Sequence, residues 1–96
     1  MRKGNGQMVG DVINQLIDSY KLRDKLNEVK LARAWEAVMG EAIARRTKRI
    51  AIRNRVMTVE VTSAPLKQEL FTSRERIKTI FNEELGGAYI EEVKIR

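Results

Sequence analysis

The chain has 96 residues, 43% of them apolar and 33% charged, so it is one domain's worth of sequence with enough apolar material for one modest core. It holds no cysteine and no histidine, which excludes disulfides, zinc ribbons, cysteine nucleophiles and imidazole acid–base chemistry. Lys and Arg number 19 against 13 Asp and Glu, a net charge of +6 that favours anionic partners, nucleic acid first.

Residues 1–7 are small, polar and charged and are expected to fray, leaving residues 8–96 as the domain. Met1-Arg2-Lys3 is followed by Gly4-Asn5-Gly6-Gln7 and not by an apolar stretch, so the start does not read as a signal peptide. No apolar run reaches the ~18 residues of a membrane span, and the expected location is the cytoplasm.

The spacing predicts a first helix whose inward stripe is Met8, Val9, Val12, Ile13, Leu16, Ile17 and Tyr20. A break is expected at Ser19-Tyr20-Lys21. A second helix then carries Leu22, Leu26, Val29, Trp35, Val38 and Met39 on one side, and Gly40 ends it. Residues 41–46 read as one further turn. From residue 47 the period changes to two: Ile50 and Ile52 face one way, Arg49, Ala51 and Arg53 the other. Asn54-Arg55 reads as the turn of a hairpin whose second strand buries Met57, Val59 and Val61.

Ser63 or Ala64 caps a third helix, with Pro65 in its first turn, where a missing N–H costs nothing. Its buried stripe is Leu66, Leu70, Phe71, Ile77, Ile80, Phe81 and Leu85, and Gly86-Gly87 ends it. A last strand over 89–96 turns Val93 and Ile95 inward. The order α-α-β-β-α-β gives an α+β domain, a small three-stranded sheet with helices packed on one face. The other face is expected to carry Arg49, Arg53, Thr58 and Thr62.

Six basic side chains fall between residues 45 and 55, with no acidic one: Arg45, Arg46, Lys48, Arg49, Arg53 and Arg55. Phosphates are the expected contact, and because no aromatic is interleaved with them, the contact is to backbone without base preference. Trp35, on an apolar helix face, reads as core; its other reading is an anchor for a protein partner or a stacked base. The adjacent pairs Glu83-Glu84 and Glu91-Glu92 point apart along helix or strand, so neither makes an acid–base site. No nucleophile, base and oxyanion site assembles, and no phosphate loop is present. The chain reads as a non-enzyme with no catalytic residue, no metal and no cofactor.

Five pieces in order resemble the DciA family. They are Trp35-x-x-Val38-Met39-Gly40-x-x-Ile43-Ala44-x-x-Thr47, Met57-x-Val59-x-Val61-x-Ser63, Leu66 with Leu70, Asn82-Glu83-Glu84-Leu85-Gly86, and Val93-x-Ile95. The resemblance implies a KH-like α+β domain that engages the DnaB-type replicative helicase and assists its loading in bacterial replication. Single-stranded or forked DNA would be the second partner. Two other readings stay open: a KH-like RNA-binding module, and a basic protein-interaction adaptor. KH modules hold backbone in a GXXG loop between two helices; here one uninterrupted helix is expected there, and no GXXG occurs. Longer relatives carry a further disordered segment or a zinc ribbon, which these residues do not contain. The family's hairpin turn usually ends in glycine, where this chain has Asn54-Arg55.

Overall fold

The computed structural model describes the backbone of residues 5–96 and the side chains from residue 10 on. Of the segment expected to fray, residues 1–4 lie outside the described residues, and residues 5–7 belong to the first helix. That helix, α1 (Asn5–Met39), runs 35 residues without a break. Ser19-Tyr20-Lys21 does not interrupt it. None of the three is Gly or Pro, and residues of middling propensity cost a helix only a few tenths of a kcal/mol each. A 35-residue helix is ~52 Å long, and it sets the long axis of a molecule measuring 57 × 21 × 21 Å.

This length corrects the expected core. At 100° per residue, Ile13, Leu16, Ile17 and Tyr20 share the helix face of Asn27, Leu31, Ala34 and Trp35. The sheet and the later helices cover only the C-terminal part of that face. Leu31 and Trp35 are therefore buried, whereas Val12, Ile13, Leu16, Ile17 and Tyr20 stay about half exposed. Leu22, Leu26, Val29 and Val38, expected to point inward, are also exposed. The C-terminal half carries apolar residues on two faces. Leu31, absent from the expected stripe, is fully buried. Met39 does pack against the core. Leu16→Ala should accordingly leave the melting temperature within about 4 °C of wild type, since an exposed change moves stability by about 0.5 kcal/mol at most. A larger drop in a thermal scan would place Leu16 in the core after all.

Gly40 ends α1 at φ 93°, ψ 162°, a backbone region essentially reserved for glycine. The chain turns there into the short α2 (Glu41–Arg45) and enters β1 (Thr47–Arg53). The hairpin is as expected: Asn54 and Arg55, at φ 50° and 67°, join β1 to β2 (Val56–Val61). Two positive φ values give the turn whose twist matches that of paired strands. The register shifts between Thr47 and Arg49, so Lys48 sits in a bulge. The bulge turns Thr47 to the helix side, where its Oγ1 accepts from the Trp35 indole N–H at 2.9 Å and donates to the Ile43 carbonyl at 2.8 Å.

Ser63 caps α3 (Ala64–Thr72), its Oγ accepting from the Leu66 N–H, and Pro65 lies in the first turn. The single helix expected here is two. Ser73 breaks it, and α4 (Arg74–Leu85) follows directly, giving the order α-α-β-β-α-α-β. The break turns Phe71 outward, 48% exposed, with the Arg74 guanidinium 4.1 Å from its ring centroid. It falls between the two helices, where KH modules carry their glycine loop, but as a single residue.

Gly86, at φ 82°, closes α4; the Gly87 N–H returns to the Asn82 carbonyl at 3.0 Å. Asn82 also pins the next loop: its Nδ2 donates to the Ile90 carbonyl at 3.0 Å, and its Oδ1 accepts from the Ile90 N–H at 2.7 Å. β3 (Glu92–Ile95) then pairs parallel to β2, which is antiparallel to β1 on its other side. The sheet order is β1-β2-β3, consistent with a KH-like topology. The core of Leu31, Trp35, Ile52, Met57, Val59, Phe81 and Val93, with the buried residues of α3 and α4, lies between helices and sheet.

Candidate nucleic-acid interface

Alternation along three adjacent strands decides which side chains share the uncovered sheet face. On β1, Ile50 and Ile52 turn to the helices, which leaves Arg49, Ala51 and Arg53 on the other side. β2 presents Val56, Thr58 and Glu60 between them, and β3 adds Lys94, with Arg96 just beyond its end. These residues and Asn54 line a shallow groove of about 340 Å³. The register sets Arg49 opposite Glu60, Arg53 opposite Val56, and Thr58 opposite Lys94.

Four cations and one carboxylate make this groove a positive surface. Rows on β1 and β3 stand two strand spacings apart, about 10 Å, so an extended polyanion fits between them. Glu60 and Arg49 face each other across the strands without an ion pair within 4 Å among the described residues. Among the described residues none of the four cations forms an ion pair, which leaves their donors to a ligand. A flat face without aromatic side chains offers cations to a phosphate backbone and no ring on which a base could stack.

The six sequence-predicted cations part company here. Arg49 and Arg53 lie in the groove. Lys48 is exposed at the bulge and does not line the groove. Arg45 pairs with Glu41 at 2.8 Å, both side chains over 70% exposed, a contact worth only about 0.3–0.5 kcal/mol. Arg46 donates to the Ala42 carbonyl at 3.1 Å. Arg55 turns to the helix side, donating to the Ala88 carbonyl and pairing with Glu91 at 3.2 Å. The block is thus not free of acidic neighbours, as its sequence implied: Glu41 and Glu91 come to it from outside the stretch. Thr62, expected on the open face, instead donates from Oγ1 to the Arg46 carbonyl at 3.2 Å.

Lys94 and Arg96 were missed. The outward alternation is legible, because Val93 and Ile95 read as inward, but their nearness to Arg49 and Arg53 depends on strand order. Trp35 offers no surface to a partner: it is 2% exposed and stacked on Phe81, ring centroids 5.3 Å apart. Among the described residues no helix is long and apolar enough to cross a membrane.

No curated protein and no solved structure matches the chain significantly. A family model described as "Dna[CI] antecedent, DciA" matches residues 8–95, nearly the whole length, with the three-stranded mixed sheet and helix order set out above. The chain therefore belongs to the DciA family, non-enzymatic factors that engage the DnaB-type replicative helicase and serve its loading in bacterial DNA replication.

Proposed function

We propose that this protein holds DNA by its phosphates on the open sheet face while it engages the helicase, in the cytoplasm where the bacterial chromosome is copied. One observation carries the reading. Arg49, Arg53, Lys94 and Arg96, drawn from both edges of the sheet, meet on one face, where Glu60 is the one carboxylate side chain lining the groove among the described residues. Lys48 is exposed in the bulge that precedes Arg49. Arg45 and Arg46 already have partners within the chain and contribute field more than contact, and Arg55, held by Ala88 and Glu91, lies around the hairpin turn from the groove.

Single-stranded or forked DNA is the form a helicase-loading factor meets. A labelled single strand titrated with the protein should bind at low salt and be displaced by DNA and RNA of one sequence to similar extents, as backbone recognition demands. Marked preference for the RNA would favour an RNA-binding module instead. In parallel, the protein immobilised as bait should recover the replicative helicase from bacterial lysate after nuclease treatment. Recovery that disappears with the nuclease would mean that nucleic acid, not the protein, bridges the two.

A further inference from the structure

We propose that the cleft between α1, the hairpin turn and the loop before β3 receives one unstacked nucleobase of a bound single strand, deepening the phosphate-binding reading on which it rests. The cleft encloses about 460 Å³ and is lined by Tyr20, Arg23, Asp24, Asn27, Ile52, Asn54, Arg55 and Tyr89. Three features point to a base. Two phenol rings, Tyr20 at 63% exposure and the half-buried Tyr89, stand at its wall, and any base can stack on such a face. Arg23 and Arg55 lie beside them, the Arg23 guanidinium 6.0 Å from the Tyr89 ring centroid. Asn27 is 6% exposed, and its side-chain amide makes no hydrogen bond within the described residues.

The amide is the decisive group. A buried polar side chain without a partner is costly and persists where water or a ligand completes it. A primary amide sets a donor beside an acceptor, the complement of a nucleobase edge. Ile52 supplies the apolar floor, and its own N–H donates to Glu28 Oε2 at 3.2 Å, so the strand edge does not compete for the ligand. Asn82 holds the loop that carries Tyr89 through its two bonds to Ile90. The cleft also lies on the path of the strand. Asn54 lines both the cleft and the open-face groove, so a chain leaving Arg53 reaches Arg55 by rounding the hairpin turn.

The full-length protein is titrated with two labelled strands of equal length, oligothymidylate and an abasic phosphodiester carrying the same charge. Wild type should bind the base-bearing strand on the order of 10-fold tighter, the usual worth of one stacked base. Tyr20→Ala and Asn27→Ala should each abolish most of that difference and leave abasic affinity unchanged; Tyr20 is exposed and the Asn27 amide has no bond to lose among the described residues, so both variants should fold. A strand containing 4-thiothymine should photocrosslink to a peptide bearing Tyr20 or Tyr89. Equal affinity for the two strands, a difference that survives both variants, or crosslinks confined to the sheet face would overturn the base pocket and leave the phosphate groove standing. Failure of wild type to bind either strand would remove both.

Discussion

Trp35→Ala is expected to destabilise the domain by about 3–5 kcal/mol, the range for deleting a fully buried aromatic side chain. The indole is 2% exposed, stacks on Phe81, and its N–H satisfies Thr47, which in turn satisfies the Ile43 carbonyl. One side chain thus joins α1, α4, α2 and the start of β1. A domain of this size is stable by only about 5–14 kcal/mol in all, and each kcal/mol moves Tm by about 4–8 °C, so the loss should exceed ~12 °C. Trp35→Phe keeps an aromatic ring against Phe81 and loses the indole N–H, for a smaller cost of about 1–2 kcal/mol. Chemical denaturation of the two variants separates packing from hydrogen bonding. If Trp35→Ala lies within about 1 kcal/mol of wild type, the ring is not part of the core.

The quadruple variant Arg49→Ala/Arg53→Ala/Lys94→Ala/Arg96→Ala should leave Tm nearly unchanged and remove most of the affinity for single-stranded DNA. Four phosphate contacts on a single strand give a slope of log K against log salt near −3, about −0.7 for each, so raising salt from about 50 to about 200 mM weakens wild-type binding roughly 50-fold. The variant should show a nearly flat salt dependence. All four side chains are exposed and outside the core, which is why folding should be indifferent to them. Arg45→Ala/Arg46→Ala, of lesser charge change and outside the groove, is the comparison. Should that double variant lose as much affinity as the quadruple one, net charge and not the sheet face governs binding.

Both arguments turn on residues whose partners are distant in sequence. Trp35 was legible as core from its place on an apolar helix face, but the Phe81 ring beneath it was not. Arg49 and Arg53 were legible as outward cations from the two-residue alternation of β1. Lys94 and Arg96 were legible as outward on β3, yet nothing local said that β3 would lie beside β2 and bring them across from Arg49 and Arg53. The absence of aromatics near the basic block also held only along the chain. In space, Tyr20 and Tyr89 line one cleft with Arg55.

The amino-acid sequence alone determined the punctuation of this protein: Gly40 and Gly86 at helix ends, Ser63 and Pro65 at a helix start, Asn54-Arg55 in the turn, and the inward and outward sides of each strand. Those features follow from φ preferences and side-chain periodicity over a few residues, which short-range sterics settle. Only the tertiary structure decided that α1 runs on past Tyr20, that its N-terminal apolar stripe outreaches the sheet, that Ser73 divides α3 from α4, and that β2 lies between β1 and β3. These are outcomes of long-range packing. A helix face is buried only as far as other elements extend to cover it, and a charge joins a site only when strand order places it there.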